Sequence, residues 1–128
     1  MTDDSPETGF RFRRQDRLRS TQEFQRVYDR RRSASDAWLI VYGCENGRPY
    51  SRLGVSVSRK YGSGVRRNRL RRLYREAFRL MRPQLPTGLD LILIPRSPEE
   101  PTLRQVQESL VVLAGRVARK LARDATSP

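Results

Sequence analysis

Residues 52–82 read RLGVSVSRKYGSGVRRNRLRRLYREAFRLMR, and this stretch decides the fold. Tyr50 to Arg59 has the period of two expected of a strand. Leu53, Val55 and Val57 point one way, and Arg52, Gly54, Ser56 and Ser58 the other. Gly62, Ser63 and Gly64 then break the pattern as a turn. From about Gly64 to Arg82 the period becomes helical: Val65, Leu70, Leu73, Tyr74, Ala77, Phe78 and Met81 fall mostly on one stripe, and Pro83 stops the run. The opposite face is arginine. Eight arginines and one acid, Glu76, lie between Val65 and Arg82, so this helix carries seven units of the chain's net charge of +13. Like charges at this density repel one another along a helix. A bound polyanion relieves that repulsion, and a solvated face would normally alternate signs.

Outward from this unit the chain reads as one domain. Upstream, Ser20-Thr21-Gln22-Glu23 has the form of a capping box, and Phe24, Val27 and Tyr28 follow on one helical face. Arg30, Arg31 and Arg32 sit in the last turn, where cations suit the helix dipole. Ser33 to Asp36 is expected as loop and Ala37 to Glu45 as the first strand, with Asn46-Gly47 as a hairpin signal into the second. Downstream, Leu89 to Pro95 is a strand apolar on both faces, hence central. Thr102 and Gln105 cap a last helix with a long apolar stripe from Leu103 to Leu121. The order is αββαβα, an α+β sandwich of a small sheet and helices. The expected boundaries are a flexible tail over 1–16, a domain over 17–122 and a second tail over 123–128. Within the first tail, Phe10 to Arg14 interleaves aromatics with arginines.

Composition narrows the function. Lysine and arginine total 27 against 14 acids, and only Lys60 and Lys120 are lysines. Arginine's planar fork grips phosphate and stacks on bases, which suits RNA, although a GC-rich genome also raises arginine. The chain has no histidine, which removes histidine general bases, Ser-His and Cys-His arrangements and histidine metal sites. Its one cysteine, Cys44, cannot form an internal disulfide and reads as a small buried hydrophobe. Glu76 and Asp90 are two lone carboxylates, better read as ion-pair partners than as a metal site. No run approaches the ~20 apolar residues of a membrane helix, and MTDDSPETG is no signal peptide, so a cytoplasmic location without membrane partners is expected. No catalytic and no metal-ligating residues are assigned. The residues alone leave open an RNA-enzyme cofactor, a ribosomal or assembly protein, and a DNA-binding module, though the basic face lacks base readers such as glutamine.

The strand Arg52 to Lys60, followed by Gly64-Val65-Arg66-Arg67-Asn68-Arg69-Leu70-Arg71-Arg72-Leu73-Tyr74-Arg75-Glu76, resembles the signature of the bacterial ribonuclease P protein subunit. Arg59 and Arg71 stand where that family usually has lysine and Gly64 where it has alanine; the Arg67-Asn68-Arg69 core is unchanged. Arg17-Leu18, the aromatics Phe24 and Tyr28, and Tyr42 on the first strand extend the resemblance over roughly residues 17–122.

The resemblance implies a fold like domain 2 of ribosomal protein S5, with a left-handed crossover through the signature. It implies a protein subunit of ribonuclease P, whose RNA subunit carries the catalysis and holds most of the functional Mg²⁺, removing the 5′ leader from precursor tRNA. The expected partners are ribonuclease P RNA and precursor tRNA, with no obligate protein partner. Arg59, Lys60, Arg66, Arg67, Asn68, Arg69, Arg71, Arg72 and Arg75 are the expected contacts to the RNA subunit. Arg17, Phe24, Tyr28, Tyr42, Arg52 and Ser56 are the expected contacts to the leader. By spacing alone, Phe24, Tyr28 and Tyr42 would be core; only the resemblance assigns them to a cleft.

Overall fold

A computed structural model describes residues 12–126. Helix α1 (Thr21–Asp29) leads into strands β1 (Ser33–Ser35), β2 (Leu39–Glu45) and β3 (Arg52–Val55). Helix α2 (Gly64–Met81), strand β4 (Leu89–Pro95) and helix α3 (Leu103–Thr126) complete the chain. The capping boxes form as their sequences require. The Ser20 hydroxyl accepts from the Glu23 amide at 3.1 Å, and the Thr102 hydroxyl accepts from the Gln105 amide at 3.1 Å.

The four strands lie in the order β1-β2-β4-β3. β4 is central, as its two apolar faces demand: it runs antiparallel to β2 over seven residue pairs and parallel to β3 over four. This corrects the hairpin reading of Asn46-Gly47, because β2 and β3 do not pair. Asn46 instead ties the β2–β3 connection to β4. Its side-chain amide donates to the Asp90 carboxylate at 2.9 Å and to the Tyr50 carbonyl at 3.1 Å. Burying Leu91 to Ile94 between two neighbours outweighs a local turn preference.

Three further expectations change. Ser33 to Ser35 is not loop but the edge strand β1, paired with Tyr42 to Ile40 across a tight turn held by Asp36, whose carboxylate accepts from the Trp38 and Leu39 amides at 2.8 and 2.9 Å. The second strand ends at Val55 rather than Arg59, and Arg59–Tyr61 forms a 3-10 turn. Within 12–16 and 123–126, given to the tails, Phe12, Asp16 and Asp124 are tied to the domain. Phe12 meets Phe78 edge-on at 5.9 Å, Asp16 is buried against Arg82, and Asp124 on the last turn of α3 pairs with Arg30 and Arg32. The rest of the expected tails, 1–11 and 127–128, lies outside the described residues.

The sheet's two faces are covered unequally. On one, Ala34, Leu39, Val41, Leu53, Leu91 and Leu93 pack under α2 and α3, which contribute Leu70, Tyr74, Phe78, Val106, Leu110, Leu113 and Val117. Each fully buried side chain of this size is worth about 1.5–3 kcal/mol, so this face supplies most of the stability. Gly43 lets α3 approach, since a Cβ there would lie 2.8 Å from a Val117 methyl. On the other face only the short α1 packs, burying Leu18, Val27, Cys44 and Ile92 and leaving Phe24, Tyr28, Tyr42 and Ile94 half-covered.

Candidate nucleic-acid interface

The first candidate surface is the outer face of α2 with the turn before it. Ser63 caps the helix, its hydroxyl accepting from the Arg66 amide at 3.3 Å. The stripe through Leu70, Tyr74, Ala77 and Phe78 is buried, which turns the intervening arginines outward. Val65, expected on that stripe, is instead 72% exposed, beside the helix's positive end. The basic residues differ in how they are held. Arg67 donates to the Gly62 carbonyl at 3.4 Å, Arg66 donates to the Pro98 carbonyl, and Arg69 pairs with Glu100 at 3.1 Å while 57% exposed. Asn68 accepts from Arg71 at 2.8 Å, so its amide organises a neighbouring cation. Arg59, Lys60 and Arg72 are exposed. Burial and the guanidiniums of Arg17 and Arg71 push the Arg75 pKa down, the mark of a cation with like charges around it.

The second candidate surface is the half-covered sheet face. Tyr28 on α1 and Tyr42 on β2 meet edge-on with ring centroids 5.1 Å apart. Beside them a hollow of about 200 Å³ is bordered by Ile40, Ser56, Lys60, Ile94 and Arg96. Lys60 stands at its rim while its own turn leads into α2, so the two surfaces adjoin through the Arg59–Tyr61 turn.

Phe24 does not line open space. A Cβ on residue 54 would lie 2.7 Å from the Phe24 ring, so the small residue at Gly54 admits this aromatic rather than a ligand. Phe24 is part core, part rim.

Arg52 differs from its expected role. It is 7% exposed, and its guanidinium donates to both Asp90 oxygens at 2.9 and 2.7 Å and to Glu23 at 3.0 Å. Arg26 completes the cluster on the fully buried Asp90. These carboxylates hold the Arg52 pKa above the ordinary arginine value, and its planar fork is committed inside the protein. Arg17 is exposed but lies at the outer edge of β3, bridged to Leu53 and stacked over Phe12, with β4 between it and Tyr42's strand. Thus Tyr28, Tyr42 and Ser56 share one face, whereas Arg17 faces α2's Arg75 and Arg52 faces inward.

The sequence reading missed several residues. Ile40, Ile94 and Arg96 line the hollow; Ile40 was findable, since it shares Tyr42's side at i, i+2. Arg14, Arg19 and Arg48, with Tyr50, join Arg17 around a second hollow of about 400 Å³, and Arg48 lies over the Tyr50 ring at 6.0 Å. Their convergence from separate loops has no local signal. Among the described residues no three His, Cys, Asp or Glu side chains gather in a way that could hold a metal ion, and no helix is long and apolar enough to cross a membrane.

An α+β domain with an arginine helix on one side of a mixed sheet and half-covered tyrosines on the other has the features of an RNA-binding protein. The comparisons give the particular family. The family model for ribonuclease P matches residues 12–118. The ribonuclease P protein component of Thermotoga petrophila is 38% identical over 95 residues, covering 74% of this chain and 81% of the relative. The solved ribonuclease P protein of Thermotoga maritima superposes with a TM-score of 0.69 at 36% identity, over 75% of this chain and 92% of that one. That of Staphylococcus aureus superposes with a TM-score of 0.66 at 31% identity, over 87% and 95%. The chain belongs to the ribonuclease P protein family, RNA-binding components of tRNA processing.

Proposed function

We propose that this chain is the protein subunit of a cytoplasmic ribonuclease P ribonucleoprotein, holding the RNA subunit on its α2 face and the 5′ leader of precursor tRNA on the open sheet face. The observation that carries the reading is the pairing of an arginine face almost without acids with a separate sheet face, where the half-covered Tyr28 and Tyr42 meet edge-on next to a hollow. On α2, Arg66, Arg67, Arg69, Arg71, Arg72 and Arg75, with Arg59 and Lys60 before it, present a row of cations to phosphates. Each phosphate neutralised releases a counterion, which gives tight and salt-sensitive assembly. The amides at the start of α2 add a site for one further phosphate. On that face, Tyr28 and Tyr42 offer ring surface for unstacked bases, at roughly 1–3 kcal/mol per base, and the hollow bordered by Ile40, Ile94 and Ser56 continues it.

Cleavage itself belongs to the RNA subunit in this reading. The chain has no histidine, and the buried carboxylates Asp16 and Asp90 are paired with arginines. Mg²⁺, which would supply the activated water, is assigned mainly to the RNA subunit, as the family resemblance implies. What the chain contributes is electrostatic relief, letting the RNA fold and hold its ions at lower Mg²⁺, and a second grip on substrates that carry a leader. The parallel β3–α2–β4 unit is proposed to cross over left-handed, as in domain 2 of ribosomal protein S5.

Reconstitution tests the reading. The chain is combined with a bacterial ribonuclease P RNA and precursor tRNA at low Mg²⁺. Leader removal is expected to rise well above that of the RNA alone; an unchanged rate overturns the proposal.

A further inference from the structure

The edge of the sheet farthest from β3 carries a cationic hollow that neither surface above includes. Arg31 and Arg32, which follow α1, face Lys120 and Arg123 on the last turns of α3 around a concavity of about 330 Å³. One acid enters it: Asp124, which pairs with Arg32 at 2.6 Å and with Arg30 at 2.9 Å. Its pKa, lowered to about 2 chiefly by the Arg32 hydrogen bond, reflects how fully those cations claim it. Lys120 donates to the Ser33 carbonyl, which fixes the ammonium at the hollow's wall. Arg31 and Arg123 have no ion-pair partner among the described residues, so positive charge remains after the internal pairing.

Arg31 also sits at φ 58°, the left-handed conformation just past the end of α1. Glycine takes that position without a Cβ penalty, and arginine does not. A strained backbone under an unpaired cation, in a hollow walled by further cations, points to a role for the side chain outside the fold.

We infer that the Arg31–Arg123 hollow is a third RNA contact, binding a backbone phosphate at the β1 edge. The inference rests on the reading of this chain as an RNA-binding subunit. The sheet order places the hollow at β1 and α2's flank at β3, so the two contacts cannot serve the same phosphate: three strand spacings, roughly 14 Å, separate the edges. The phosphate comes from the RNA subunit or from precursor tRNA.

The test uses Arg31→Gly, Arg123→Gln and, as a reference, Arg72→Gln, each in the full chain. Binding to ribonuclease P RNA, and of precursor tRNA to the assembled holoenzyme, is measured across a salt series. Arg31→Gly is expected to raise the melting temperature, because it relieves the left-handed strain, yet to weaken one of the two bindings and reduce its log–log salt slope by about 0.7–0.9. Arg123→Gln is expected to reduce the same slope. Whichever RNA responds is the source of the phosphate. Unchanged slopes for Arg31→Gly and Arg123→Gln with a reduced slope for Arg72→Gln would overturn the inference alone. Unchanged slopes for all three would overturn the underlying reading too.

Discussion

Arg52 and Arg72 lie twenty positions apart in one motif-bearing stretch, and the structure puts them to opposite uses. Arg52 is buried and bound by Asp90 and Glu23; Arg72 is exposed on α2. The region around Asp90 is a closed electrostatic unit. Arg26, Arg52 and Asn46 converge on one carboxylate and pin α1, β3 and the β2–β3 connection to the central strand. The α2 face is the more open unit: Arg69 and Arg79 pair with Glu100 and Glu76, and the exposed Arg72 faces other cations and water. A charge whose partner is inside the protein stabilises the fold, and a charge without one is available to a ligand. Residue type does not separate the two cases; the partner does.

The sharpest way to break this comparison is to remove the shared carboxylate. Asp90→Ala leaves Arg26 without its carboxylate and the buried Arg52 with Glu23 alone, and is expected to cost about 3–5 kcal/mol in urea unfolding. A cost below 1 kcal/mol would mean that the cluster is not closed. Tyr42→Ala addresses the other surface. It is expected to weaken holoenzyme binding of precursor tRNA by about 1–3 kcal/mol and to leave mature tRNA unaffected. Equal losses on the two RNAs would return Tyr42 to the core.

Acid probes the closed unit more gently. Backbone hydrogen bonds from Arg19 and Ser20, aided by Arg52, lower the Glu23 pKa from 4.5 to about 2. A carboxylate with a depressed folded pKa adds stability that is fully present above its unfolded value and is lost as pH falls through its folded value. Glu23 therefore contributes stability that disappears between about pH 4.5 and pH 2, and solvent screening keeps it below about 1 kcal/mol. Comparing the wild type with Glu23→Gln in denaturant at several pH values measures it; the difference between the two should vanish at the acid end. Arg72→Ala has the smallest expected effect on the fold, within about 0.5 kcal/mol, since it removes no buried partner.

Much of this was legible in the sequence because local chemistry enforces it. Ser20 with Glu23, Thr102 with Gln105, and Pro83 bound the helices where they stand, and the two-faced apolar run at Leu91 to Ile94 placed β4 in the centre. The illegible parts are those set by tertiary choice. Asn46-Gly47 carries a hairpin signal, yet β4 inserts between the strands it joins. Ser33 to Ser35 is too short and polar to announce a strand, and β2 recruits it as an edge. At the site, the strand alternation grouped Arg52 with Gly54 and Ser56 correctly, but the small, polar character of that face suggested an open floor for an extended ligand, and α1 closes it at Arg52 and Gly54. α1 lies over the first two, so Arg52 meets Glu23 and Gly54 meets Phe24, while Ser56 and Ser58 border the hollow.

The claim that α2's outward arginines are the RNA-subunit surface is tested most directly by the salt dependence of assembly. Affinity for ribonuclease P RNA is measured across a salt series for the wild type, for the double variant Arg67→Ala with Arg72→Ala, and for Tyr42→Ala. The double variant is expected to reduce the log–log slope by about 1.4–1.8 while unfolding like the wild type, and Tyr42→Ala to leave the slope unchanged. A double variant with the wild-type slope and affinity would contradict the account.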